Sequence, residues 1–158
     1  MLEVCLPYPN CNFFMSAKDS VHDIVREALE KDEWLITHDP FFLRVSENIG
    51  MFIDLAADKL LLAERGTFKI AVEIKSFIGL STLTDFHLAV GQFLNYRLAL
   101  HEFKIDRVLY LAIPNDIYDV FFQDSFIRKA IDNYNINLIV FNSQKGEIVL
   151  WKPLPISN

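Results

Sequence analysis

No uninterrupted apolar run in the 158 residues approaches the roughly 18 needed to cross a bilayer as a helix. The first residues have no basic stretch ahead of an apolar one, and Pro7 and Pro9 interrupt them, so they do not read as a signal peptide. Those two absences predict a cytoplasmic protein with no membrane partner. Cysteine is scarce, with only Cys5 and Cys11. A disulfide between them would close a short loop and staple nothing to a core, so free thiols in a reducing compartment are expected. With no histidine near them, they make a poor zinc site. A basic excess is lacking too: 15 Lys+Arg face 21 Asp+Glu, for a net charge of -6. That argues against a protein held on nucleic acid by electrostatics alone, and no basic strip with interleaved aromatics is present. It leaves a metal nuclease open, because clustered carboxylates repel DNA only until Mg²⁺ bridges them to phosphate. It also leaves room for a partner protein to supply basic surface.

What is present suits one ordinary domain. Hydrophobic residues make up 52% of the chain and charged residues 23%, enough for a buried core. Residues 1–15 lack periodicity and read as an N-terminal extension, with Met15 and Ser16 a candidate true start. Residues 16–158 read as a single domain. Helical spacing of Val21, Ile24, Val25, Ala28 and Leu29 predicts an amphipathic helix over 16–31, with Ser16 as N-cap. Residues 34–37 form a short strand that His38, Asp39 and Pro40 end, and 41–45 continue extended. A long strand is expected over 51–63, a turn around Arg65 and Gly66, and a second strand over 68–77. Thr82 with Asp85 marks a helix start, and that helix runs to about 101. Residues 106–113 and 136–141 are apolar enough for strands buried on both faces. A helix over 117–133 lies between them, and a final strand spans 147–151. The order predicts a mixed central sheet with helices on both faces.

The chemistry centres on two segments, DLAAD at 54–58 and VEIK at 72–75. With Arg65 and Gly66 as a two-residue loop, Asp58 faces Glu73 and Ala56 faces Lys75. Strand side chains alternate, so Asp54, Asp58, Glu73 and Lys75 then share one face. That register is an assumption, since a one-residue slip would break the grouping. Metal-assisted phosphodiester hydrolysis needs such a group: carboxylates converging on a divalent cation, and a lysine to orient water or offset developing charge. Gln92 could support the site from the following helix. Tyr96, one turn on, reads as packing with a wet hydroxyl. His22, Asp23 and Glu27 offer an extra acid or phosphate contact, and Ser76 and Ser81 flank the site. The plainer reading makes Glu73 and Lys75 a solvated cross-strand ion pair, and the first-helix polar residues a solvated face.

These blocks carry a resemblance. DLAAD at 54–58, AE at 63–64, IAVEIKSF at 70–77, GQFLNYR at 91–97, AKDSVH at 17–22 and WLITHDP at 34–40 are together similar to the XisH family of cyanobacteria, over about residues 15–151. That family is named for controlling excision of the fdxN element, a DNA segment removed during heterocyst development. It resembles the restriction-endonuclease-like superfamily with its PD-(D/E)xK signature. The resemblance implies that fold, a mixed α/β sheet flanked by helices. It also implies an Mg²⁺- or Mn²⁺-dependent site in which Asp54 or Asp58 with Glu73 holds metal, Lys75 assists water and Gln92 supports. Asp54 fits the signature by its Asp-Leu-Ala context and Asp58 by strand pairing, while Ile53 stands where the superfamily often has proline. Implied partners are DNA and an XisI-like companion protein, with a homo-oligomer conceivable. The other reading the resemblance allows is a non-catalytic regulatory module of the same fold, acting through XisI or a recombinase.

Overall fold

The apolar stripe of the first predicted helix finds a sheet to cover. In the computed structural model, which describes residues 17–60 and 67–155, helix α1 (Ala17–Lys31) buries Val25, Ala28 and Leu29 almost completely. The expected Ser16 cap, the 1–15 extension and the Arg65-Gly66 turn lie outside the described residues. Strands β1 (Leu35–His38), β2 (Phe41–Arg44), β3 (Gly50–Ile53), β4 (Leu55–Leu60) and β5 (Thr67–Ile74) follow. Helix α2 (Thr82–Glu102), β6 (Val108–Pro114), α3 (Asn115–Val120), α4 (Ser125–Asn133), β7 (Leu138–Asn142) and β8 (Glu147–Lys152) complete the order.

Six strands form one mixed sheet in the order β1-β4-β5-β6-β7-β8, while β2 and β3 pair separately. The β5–β6 and β6–β7 neighbours are parallel and the rest antiparallel. Alternation in β5 sends Ile70, Val72 and Ile74 toward α1, into a cluster with Trp34, Tyr110 and Phe141. Ala71 turns the other way, into a second cluster with Phe93 of α2 and Ile131 of α4. Helices therefore cover both faces, as the sequence pattern predicts. The apolar runs of β6 and β7 are buried on both faces because they occupy the middle of the sheet. Among the described residues no helix is long and apolar enough to cross a membrane.

Three details correct the sequence reading. The strand expected over 51–63 is two strands that break at Asp54, β3 joining the small sheet and β4 the large one. The helix expected over 117–133 is likewise two, joined by a 3-10 turn (Phe121–Gln123). Asp124 is extended there, and its carboxylate accepts from the Phe126 and Ile127 amides, capping α4 and restarting the helix. Helix α2 is capped one residue early by the Ser81 hydroxyl, which accepts from the Thr84 amide. Asp85 instead reaches back to accept from the Gly79 amide at 2.9 Å. A Cβ on Gly79 would lie 2.6 Å from that carboxylate, so only glycine lets the loop come so close.

Candidate active site

The register of β4 on β5 decides which acid meets Glu73. Leu60 pairs with Thr67, Asp58 with Lys69, and Leu55 with Val72. The expected pairing of Asp58 with Glu73 is thus displaced by four residues along β5. A shift by an even number keeps side-chain parity. Asp58 stays on the face of Glu73 but lies four residues away along β5, about 13 Å. Its carboxylate is engaged there by Arg107 at 2.7 Å, and the same guanidinium donates to the Ala57 and Ile70 carbonyls. One step beyond the Leu55–Val72 pair, the same register brings Asp54 level with Glu73. The Asp54 carboxylate accepts from the Ile74 amide at 2.8 Å, which holds it at the end of β5.

A cleft of about 420 Å³ opens at this point. Asp54, Glu73 and Lys75 line it together with Gln92 and Asp85 from the α2 side and His22 from α1. It sits at the carboxyl end of β5, the first of the parallel strands, where the chain departs from the sheet and leaves room. Glu73 is 5% exposed, the lone fully buried charged side chain among the described residues. The Lys75 backbone amide donates to the Ala112 carbonyl, extending the β5–β6 pairing, while its ammonium donates to the Gln92 side-chain oxygen at 3.0 Å. Gln92 thereby sets where the lysine points. Of the five residues singled out from sequence, the fold brings four together and sets Asp58 apart. Ser76 lines the cleft, and Ser81 caps α2.

Tyr96 is 9% exposed, and burial, then the negative charges of Glu73 and Asp54, push its hydroxyl up to about 12. A hydrogen bond with Gln92 acts in the opposite sense. Tyr110, buried under Trp151, is also pushed up to about 12 by burial. Both folded values exceed the ordinary 10, so above pH 10 the native protein keeps protons that the unfolded chain releases. Their stabilisation is complete below pH 10 and is lost as pH rises toward 12, by about 2–3 kcal/mol per tyrosine. An ultraviolet titration is expected to find Tyr96 and Tyr110 resisting ionisation to about pH 12, with that resistant fraction reduced in each of Tyr96→Phe and Tyr110→Phe. Ionisation of both near pH 10 would contradict this burial.

Sequence reasoning missed three participants. Asp85 was a helix-start signal and becomes a cleft wall. Asp39 ended a strand and becomes the partner of His22, at 2.8 Å. Arg107 binds Asp58 and removes it from the site. Asp39 and Arg107 have no local signal, since their pairs span 17 and 49 residues of chain.

Comparison with known proteins agrees with the sequence blocks. Residues 15–149 match the family model described as "XisH protein". The chain is similar to the crystal structure of an XisH family protein from Nostoc punctiforme PCC 73102, with 39% identity and a TM-score of 0.76. That match covers 85% of this chain and 99% of the other. It is also similar to an fdxN element excision controlling factor protein from Anabaena variabilis, with 40% identity and a TM-score of 0.75, covering 85% of this chain and 98% of the other. Among curated proteins no match is found.

Proposed function

This chain belongs to the XisH family, and from that premise we propose that it acts in DNA-element excision as a PD-(D/E)xK-type, metal-dependent phosphodiesterase. The observation that carries the reading is the Asp54 carboxylate, pinned by the Ile74 amide at the level of Glu73, with Lys75 two residues on. The polar groups sit at the end of a buried strand, with Glu73 itself enclosed there.

The donor set fits a hard cation. Among the described residues no group of three or more His, Cys, Asp or Glu side chains gathers as a metal cage. Mg²⁺ asks for less, being held by one or two carboxylates with water and substrate phosphate oxygens completing its shell. Asp54 and Glu73 would hold it. When bound, such an ion supplies a Lewis acid for the phosphate and a more acidic water. The chain's own residues do the rest. Lys75, aimed by Gln92, can donate to the attacking oxygen or to the phosphate as charge builds. Tyr96, hydrogen-bonded to Gln92, stays neutral at physiological pH and adds a hydroxyl rather than a further negative charge.

Titrating Mg²⁺ and Mn²⁺ calorimetrically into the wild type, alone and with DNA, tests the reading, followed by cleavage assays on branched, nicked and linear DNA. Uptake of metal with cleavage of at least one of these DNA forms is expected. No binding of either ion, even with DNA present, removes the enzymatic reading. A second reading is favoured by the net charge of -6: a non-catalytic module of the same fold, acting through a basic partner such as an XisI-like protein or a recombinase. It predicts that excision survives Lys75→Ala, whereas the nuclease reading predicts that it fails.

A further inference from the structure

The cleft is poor in positive charge for something that must accept a phosphodiester. Asp54, Glu73 and Asp85 line it against the single ammonium of Lys75, which already donates to Gln92. Among the described lining residues, His22 is the other side chain able to carry a positive charge. It is not a loose surface histidine. Its Nε2 meets the Asp39 carboxylate at 2.8 Å, and the other oxygen of that carboxylate accepts from Arg26 on the next turn of α1. Arg26 in turn meets Glu30 at 3.4 Å. His22 and Asp39 are 25% and 23% exposed, so the clamp is half sheltered at the cleft mouth. A histidine bound to a carboxylate through one ring nitrogen is fixed in orientation, and its other nitrogen is left for a ligand. The charged groups around the ring are Asp39, Arg26 and Glu30 behind it, and Asp54, Glu73, Lys75 and Asp85 lining the cleft before it.

We infer that His22, held by Asp39 and Arg26, is a second cationic contact for a nucleic-acid phosphate in this cleft, donating from Nδ1. Asp39 and Arg26 are positioning residues for it. The inference rests on the nuclease reading for the identity of the ligand. The full chain is titrated into a fluorescein-labelled four-way junction and a linear duplex by anisotropy, without metal, across a salt series at about pH 6. His22→Gln is expected to weaken binding about tenfold and to lower the slope of log affinity against log salt by about one, the signature of a lost phosphate contact. His22→Lys, which restores the charge, is expected to recover both, and Asp39→Asn to fall between. Unchanged affinity and slope in His22→Gln overturn the assignment, as does a loss that His22→Lys fails to rescue. Parallel Mg²⁺ calorimetry separates the two ideas. Wild type that binds DNA through His22 but takes up no Mg²⁺ ends the nuclease reading and leaves His22 in place. Wild type that takes up Mg²⁺ and cleaves, with His22→Gln indistinguishable from it, does the reverse. A wild type that binds neither DNA nor Mg²⁺ overturns both.

Discussion

Glu73→Gln is expected to lower metal-dependent cleavage by about a thousandfold, the scale of losing a principal electrostatic group, while leaving the metal-free fold as stable as wild type or more so. The two halves of this expectation share one cause. Glu73 is 5% exposed and the Asp54 carboxylate lines the same cleft, so the two acids share a partly dehydrated space that a bound cation would suit. Burial first, then the charges of Glu73 and Asp54, push the Tyr96 hydroxyl up to about 12. Glutamine keeps the shape and removes one charge, which on the proposed reading relieves the metal-free protein and takes away a metal ligand. Active sites commonly show this opposition of stability and activity. Thermal unfolding with and without Mg²⁺ measures it directly: the ion should raise the wild-type midpoint by mass action and leave the variant unmoved. A variant that is markedly less stable yet binds Mg²⁺ as tightly as wild type would make Glu73 a structural residue and end its role as ligand.

Asp54 and Asp58 are expected to fail in opposite ways. Asp58→Ala should cost about 3 kcal/mol of stability, because it leaves the Arg107 guanidinium, only 10% exposed, without its carboxylate. That guanidinium also lies 5.4 Å from the Phe41 ring and donates to backbone carbonyls of β4 and β5, so its displacement loosens that end of the two strands. Metal affinity should survive. Asp54→Ala should cost only about 1 kcal/mol, through the lost acceptor for the Ile74 amide, but metal uptake and cleavage should disappear. Urea unfolding paired with calorimetry on both variants reads the two effects on one footing. If Asp58→Ala loses metal and Asp54→Ala keeps it, the ligand assignment is reversed.

The contrast between these two acids shows how far sequence carried. Periodicity was enough for α1, because Val25, Ala28 and Leu29 repeat at helical spacing, and for the buried strands β6 and β7, because their apolar runs leave no polar face. Parity was enough to group Asp54, Asp58, Glu73 and Lys75 on one side of a sheet, since any even shift in register preserves it. Parity could not choose between the acids, because Asp54 and Asp58 differ by an even number of positions. Only the observed pairing of Asp58 with Lys69 did so. Helix breaks such as Asp124 also escaped, because a single extended residue inside an otherwise helical pattern is set by its cap and its packing, not by the average of its neighbours.

Local pattern, then, determined the elements, their apolar faces and the Glu-x-Lys strand, since those depend on neighbours two to four residues away. The tertiary structure decided the rest of the site: Asp54 beside Glu73, Gln92 against Lys75, and His22 held by Asp39. These are contacts between distant segments, and they follow from loop length and strand register, which no local period encodes.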